Sequence, residues 1–493
     1  MGQHDYQVNL LGGVPNQVVF NVLPLRAITN IYSIAGFAQD QWTVGRLTVQ
    51  GGLRYDQVLV NYPAVTSPAT RLLPERSYAA QSDVINRKDL SPRLGVAWDI
   101  FGNGKTAVKV HVNRYVVSTN EEHNQAVSQH PAITTAAPAT RNWTDRDGDF
   151  YPDGDPLNPL ANGEFGPSDN AAFGSSRGTL ALNSDWTRGW FKRMYQWETA
   201  ASVQHELLPG ASVTGGYVRR SYGNLNVIGN VAVTPADFDP YCVTSYSDAR
   251  LPGGGGQQIC GLYDVIPSKV GAFSLVQTLA SDYGKMAEFY QGVDFGANAR
   301  VSGGGFLQGG VSIGRSVTDN CDIVSRNPQL LGAGNTLEQC RKVQPWLYDY
   351  KALASWNLPA SVQVAAGFQS KPGLTSTFGT SFGVTANALY SSAQIAPSLG
   401  RSLASGPNGV VSINIARPGA ILADRMYQFD LRGSKSFRMH ARTLKLLVDL
   451  YNVFNSGPAL SLTGTFGTTG AAWLIPTSTL QGRLLKFGAQ LDF

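Results

Sequence analysis

Apolar and polar residues alternate along this chain in runs of about ten, the period-two signature of strands with two unlike faces. Over 47–56, Leu47, Val49, Gly51, Leu53 and Tyr55 fall on one side and Thr48, Gln50, Arg54 and Asp56 on the other. Leu94, Val96, Trp98 and Ile100 oppose Gly95, Ala97 and Asp99, and Val108, Val110 and Val112 oppose Lys109, His111 and Asn113. Tyr195, Trp197 and Val203 stand against Gln196, Glu198, Ser202, Gln204 and Glu206. Near the end, Tyr427, Phe429 and Leu431 oppose Gln428, Asp430 and Arg432. The last run sets Leu485, Phe487, Ala489, Leu491 and Phe493 against Lys486, Gln490 and Asp492. The patterns predict about fourteen strands. They fall near 3–12, 31–42, 46–57, 91–101, 105–116, 195–207, 211–222, 286–301, 305–317, 345–357, 361–371, 424–437, 442–454 and 481–493.

The connections sharpen the prediction. Tight links at 43–45, 102–104, 208–210, 302–304, 358–360 and 438–441 alternate with long ones at 58–90, 117–194, 223–285, 318–344, 372–423 and 455–480. Short turns on one side and long loops on the other predict an antiparallel transmembrane β-barrel, with periplasmic turns and extracellular loops. Loops this long are uncommon inside a compact soluble domain. A soluble sandwich would use shorter strands at closer spacing, and a propeller would repeat a motif once per blade. Aromatic residues at strand ends, Trp42, Tyr55, Trp98, Trp197, Trp346 and Tyr451, are candidates for interfacial girdles.

Composition fits an all-β membrane wall. Of 493 residues, 15% are charged and 43% hydrophobic, with 54 Gly and a net charge of +5. Soluble proteins average about 25% charged residues. The abundant aromatics and small net charge exclude disorder. No apolar run reaches the roughly 18 residues of a spanning helix. Basic residues are spread along the chain rather than clustered on one face, which argues against nucleic acid. The opening MGQHDYQVNLLGG has no charged start followed by an apolar stretch, so no secretory leader is expected within it.

Five stretches carry a family resemblance: IAGFAQDQWTVGRLTVQGGLRYD (34–56), LSPRLGVAWDIFGNGKTAVKVHVNRY (90–115), DRMYQFDLRGSKSF (424–437), KLLVDLYNVFN (445–455) and QGRLLKFGAQLDF (481–493). Together they resemble the barrel of TonB-dependent outer-membrane receptors, closest to the Oar-like group, whose members carry a carboxypeptidase-regulatory-like domain ahead of the plug. The resemblance spans 1–493 as one barrel region. It implies a Gram-negative outer membrane, a ligand taken up with energy from the TonB system, and coupling through a plug segment that is not recognisable here. Since such receptors have 22 strands, it also implies the C-terminal part of a larger barrel. The alternative is a passive or structural barrel of fourteen strands, an even number that allows antiparallel closure. The terminal Phe493, with Leu491 and Phe487 on the same face, resembles the signal read by barrel-assembly machinery.

Candidate chemistry lies in the loops. TDRDGDFYPDGDPLNP places Asp145, Asp147, Asp149, Asp153 and Asp155 close together, and Glu164 follows. Hard cations take six to eight oxygens, so carboxylates two residues apart around a Gly-containing turn point to a Ca²⁺ site, against the alternative of a solvated acidic tip. The Oar-like resemblance includes such a loop. Cys242 and Cys260 share one long loop, and Cys321 and Cys340 another; pairing within each is the natural one of three possible connectivities. Such bridges form outside the reducing cytoplasm. Catalysis finds no matching motif: His111 is expected in the lumen, His205 and His440 near the turns, and His123 beside Glu121 and Glu122 reads as a charged loop patch. Arg54, Lys109, Arg114, Glu198, Asp294, Arg300, Asp430 and Arg432 are expected on the lumenal face, with mixed signs that define no substrate charge.

Overall fold

A computed structural model describes residues 5–70, 72–117, 119–170, 173–174, 180–301, 303–332, 334–373, 383–440 and 442–493. Thirteen long strands run sequentially through one antiparallel sheet. They are β1 (Asn30–Val44), β2 (Leu47–Tyr62), β3 (Gln81–Asp99), β4 (Thr106–Val116), β5 (Tyr195–Leu208), β6 (Ala211–Gly223) and β7 (Ala287–Val301). The wall continues through β8 (Gly305–Asp319), β9 (Leu347–Leu358), β10 (Val362–Lys371), β11 (Met426–Met439), β12 (Arg442–Tyr451) and β13 (Leu484–Asp492). Consecutive strands joined by tight links form the turns of one rim. At the first, Val44 pairs with Leu47 across Gly45, whose φ of +60° is left-handed backbone that glycine adopts without a Cβ clash. The other connections are long and fold into a layer over the opposite rim.

Register confirms two faces. One cross-strand row runs Trp42, Val49, Val96, Val110, Ala201, Tyr217, Val293 and Ile313. These outward positions include many exposed apolar side chains, such as Leu53, Leu94, Phe295, Leu307, Tyr350, Leu431 and Phe487. The opposite face carries Gln50, Arg54, Arg93, Lys109, His111, Glu198, Arg220, Asp294, Lys351, Arg432 and Lys486, with Glu198 directly paired to Arg220. Trp42 and Trp98 stand outward beside the turn rim, and Trp197 and Tyr348 outward nearer the loop rim. Tyr451 differs from expectation: it follows the outward Leu450 and pairs with Leu484, so alternation puts it on the inner face.

Three further expectations change. The predicted strand near 3–12 forms over Tyr6–Leu11 but lies outside the wall, in a small sheet with Val14–Phe20, Ala139–Trp143 and Phe165–Ser168. Its hydrophobic side packs Val18, Phe20, Trp143 and Phe165 into a local core, so its partners are loops rather than barrel strands. The antiparallel closure that the fourteen-strand alternative allows is not seen: β1 and β13 are not paired among the described residues. With thirteen strands these two edges run in the same direction. Finally, Arg114, expected on the lumenal face, follows the outward valines in alternation and is buried instead. Above Arg93 and Asn113 strands β3 and β4 separate, and Arg188–Trp190 slots in parallel beside β3. Arg114 turns into that wedge, donating to Asp89 Oδ1 at 2.9 Å and to the Leu90 carbonyl at 2.9 Å.

Candidate ligand-binding face of the barrel

The inner wall is a polar mosaic held by short-range pairs. Arg54 Nε donates to both oxygens of Asp56 at 3.0 Å. Glu198 accepts from Arg220 Nε at 2.6 Å, and the His111 Nε2 atom lies 3.3 Å from its other oxygen, which puts His111 in the lumen as expected. Lys109 Nζ donates to Gln204 at 3.2 Å, and Arg432 Nη2 to Asp449 at 3.2 Å. Asp430 accepts from Gln428. Nearer the turn rim, Glu206, Asn298 and Arg300 line an open groove of about 400 Å³. The pairs carry both signs, so this face has no single dominant charge.

Above the wall, the long connections are folded rather than loose. Segments from three of them bury Tyr241 and Leu262, Ala388, Ile395 and Ile413, and Phe466 and Trp473 in one apolar core. Trp473 Nε1 donates to the Thr385 carbonyl at 2.8 Å, and Arg401 ties Asp239 and Asp264 together, at 2.9 Å and 2.5 Å. Both disulfides form within their loops, Cys242–Cys260 and Cys321–Cys340, with Cα separations of 4.2 Å and 4.9 Å. Short strands such as Asn387–Ser391 gave no periodic signal in the sequence, so this core was not legible there.

A second loop region lies beside the acidic segment. Asp145, Asp147 and Asp149 bring one carboxylate oxygen each within 4.8 Å of the others, the only such group among the described residues. Asp145 accepts from the N–H groups of Gly148 (2.8 Å) and Phe150 (3.1 Å), and Asp149 from that of Tyr151 (2.7 Å). Asp153 and Asp155 are exposed and stand outside the group. Glu164 is buried and accepts from the Arg146 N–H, from Trp143 Nε1 (3.1 Å) and from the Asp153 N–H (3.3 Å). Those donors, the Arg146 N–H foremost, hold its carboxyl below the usual glutamate range. The Asp147 carboxyl lies above its usual range: a bond from the Asp149 N–H lowers it, and desolvation with the neighbouring Asp149, Glu164 and Asp145 outweighs that bond. His123, Glu121 and Glu122 lie in the helix Thr119–Ser128, their side chains outside the described residues.

A third feature sits at the mouth of the lumen under the loop 320–346. Met286, Glu288, Thr318, Asn320, Thr336 and Lys342 line a cavity of about 320 Å³. Burial holds the Lys342 ammonium below the usual lysine range. On the last strand Phe487 and Leu491 point outward, with exposures of 73% and 41%, and Phe493 just beyond it is 88% exposed.

A sheet whose outer face is apolar, whose inner face is polar and whose rims carry aromatic residues defines the wall of a membrane-spanning β-barrel. The chain belongs to the outer membrane beta barrel domain family, which matches residues 5–322, and its place is the Gram-negative outer membrane. It is similar to the outer membrane transporter YddB from Escherichia coli, at 11% identity and a TM-score of 0.47, over 96% of this chain and 54% of that one. It is also similar to the FrpB iron transporter from Neisseria meningitidis (11%, 0.44, 94% and 45%) and to the siderophore receptor PiuA from Acinetobacter baumannii (8%, 0.43, 97% and 44%). The chain spans about half the length of these solved structures. No curated protein matches it.

Proposed function

We propose that this chain is the barrel of a TonB-dependent receptor of the Oar-like group, binding a ligand at its outer mouth and passing it inward with energy from the TonB system. The observation that carries the reading is the folded loop layer. Three connections share one apolar core, so the rim has a fixed shape able to recognise a ligand. A simple pore gains nothing from such a rim. The mixed-sign inner wall and the sequence resemblance support the same reading. TonB coupling runs through a plug segment that the resemblance places ahead of the barrel. The exposed outward Phe487 and Leu491, followed by the exposed Phe493, support recognition by barrel-assembly machinery.

The competing reading is a passive or structural barrel. The product of the full gene, purified and placed in a planar bilayer, separates the two. The receptor reading expects a silent barrel that captures the periplasmic domain of TonB. Steady ion conductance without that capture supports the passive barrel.

Calcium belongs to this proposal as a stiffener of the acidic loop. Asp145, Asp147 and Asp149 supply three oxygens, and the Tyr151 carbonyl is a further candidate. Calorimetry on the intact chain expects binding that is lost in Asp147→Asn. No binding at millimolar calcium refutes it.

A further inference from the structure

Two arginines stand on the outward face of the wall near the loop rim. Tyr217, Val293 and Ile313 belong to the outward row already described. The next outward row toward the loops holds Arg219 on β6, Gln291 on β7 and Arg315 on β8, directly paired in that order. Counted from the turn end of each strand, Arg219 lies eight residues beyond Ala211, and Arg315 ten beyond Gly305. At about 3.3 Å per residue and a tilt of about 40°, these positions stand about 20 Å and 25 Å above the turn rim. An apolar band is about 25 Å tall, so both arginines sit at its upper edge.

Aromatic rings hold both guanidiniums in place. The Cζ atom of Arg219 lies 4.8 Å from the ring centroid of Phe289, and that of Arg315 lies 4.6 Å from Trp346. A ring attracts a cation without neutralising it. With its amide oxygen turned toward Arg315, Gln291 accepts from Nε and Nη2 at 3.1 Å each. Arg219 Nε reaches Ser221 Oγ at 3.5 Å. Among the described residues neither arginine pairs with a carboxylate, although Arg220, the next residue on the inner face, pairs with Glu198. The outward carboxylate farther along β8, Asp319, faces Arg341 at 3.7 Å. Arg425 on the same rim donates to the Tyr348 carbonyl and to Ser370, and is not part of the pair. The patch therefore holds two positive charges that the described residues leave without a counter-charge.

We propose that Arg219 and Arg315 together hold a phosphate monoester on the headgroup of an outer-leaflet glycolipid, whose acyl chains lie along the apolar face beneath them. A phosphate monoester carries about −1.5 to −2 charge and three acceptor oxygens, which complements two guanidiniums. Neighbouring strands lie about 4.8 Å apart, so the two arginine backbones are about 10 Å apart, a gap that two long side chains close from either side. The planar fork of arginine suits phosphate oxygens. Depth points to a lipid as the source of the phosphate: the site stands at the edge of the apolar band, and the row beneath it offers Tyr217, Val293 and Ile313 to acyl chains. The loop side of a barrel in the Gram-negative outer membrane faces the outer leaflet, whose glycolipid carries monoester phosphates. The site lies outside the wall, so it is independent of TonB coupling and of any ligand in the lumen.

The full chain, refolded in detergent micelles, is titrated with lipid A, with lipid A stripped of its phosphates, and with phosphatidylglycerol, and bound lipid is counted by native mass spectrometry. Lipid A is expected to bind at least about tenfold more tightly than the other two, because one lacks the anion and the other offers a singly charged diester. Arg219→Gln and Arg315→Gln should each weaken lipid A binding by about fivefold or more and leave the stripped lipid unchanged. Lys435→Gln, outward at the turn end of β11, should change none of the three. Equal binding of lipid A and its stripped form, equal binding of phosphatidylglycerol, or full affinity in the double arginine variant overturns the proposal. Displacement of lipid A by inorganic phosphate at equal concentration overturns the assignment to a lipid. The comparison of lipids uses the unaltered protein, so a variant that fails to fold leaves it decisive. TonB capture is measured without lipid A, so failure here leaves the receptor reading standing.

Discussion

Placing an arginine at Val110 probes the outward face where it is most sensitive. Val110 lies four residues along β4 from Thr106, beside the turn rim, and its outward neighbours are Val96 and Ala201. At about 3.3 Å per residue, four steps carry it about 13 Å along the strand. A barrel strand tilts by about 40°, which leaves about 10 Å of height. The apolar band is about 25 Å tall, so Val110 sits near its middle. An arginine at the midplane costs about 2–4 kcal/mol, whereas one near an interface costs about 0–1 kcal/mol. Val110→Arg is therefore expected to destabilise folding in phospholipid vesicles by about 2–4 kcal/mol, read from urea titration by tryptophan fluorescence. Trp42→Arg, outward but beside the turn rim, should lose about 1 kcal/mol or less through charge alone, plus its lost ring contacts. Ser202→Arg, on the inner face beside Lys109, should change stability little. Equal losses for Val110→Arg and Ser202→Arg refute the assignment of faces.

Two further outcomes follow from the loop layer. Leu262 is fully buried in the core shared by three connections, so Leu262→Ala should destabilise the cap by about 2–5 kcal/mol. Limited proteolysis should then cut the loops while the strands stay protected; unchanged protease resistance contradicts a shared core. Glu164 has a carboxyl held below its ordinary value, so the stability it lends is present above that ordinary value and is lost as pH falls through the lowered one. Acid titration of loop protection by hydrogen exchange should show this loss in the native protein and not in Glu164→Gln, and an identical profile in both contradicts the role.

The strands were legible because lipid on one side and a polar lumen on the other force strict alternation. Val108, Val110 and Val112 against Lys109 and His111 leave no other reading. The alternation of tight and long links was equally plain, as was the cysteine pairing, since each pair shares one loop. The loop layer was not legible. Its sheets join distant segments, as where Val14–Phe20 meets Ala139–Trp143, and strands of four or five residues are too short to show a period. The same limit explains why the segment near 3–12 was expected in the wall. Arg114 misled for another reason: its charge suggested the lumen although it is in phase with the outward valines, and β3 parts from β4 just where it stands, so it is buried in the wedge. Asp153 and Asp155 are close in sequence to the acidic group, but the turn around Gly154 leaves them outside it.

The orientation of the wall is tested most directly by labelling single cysteines on intact cells with a membrane-impermeant maleimide. The four native cysteines are bridged and do not compete. Ser268 is exposed in the loop layer, and Asn103 is exposed in the turn between β3 and β4. Ser268→Cys should label on intact cells and Asn103→Cys only after the outer membrane is opened. Labelling of Asn103→Cys on intact cells, with Ser268→Cys protected, contradicts the account.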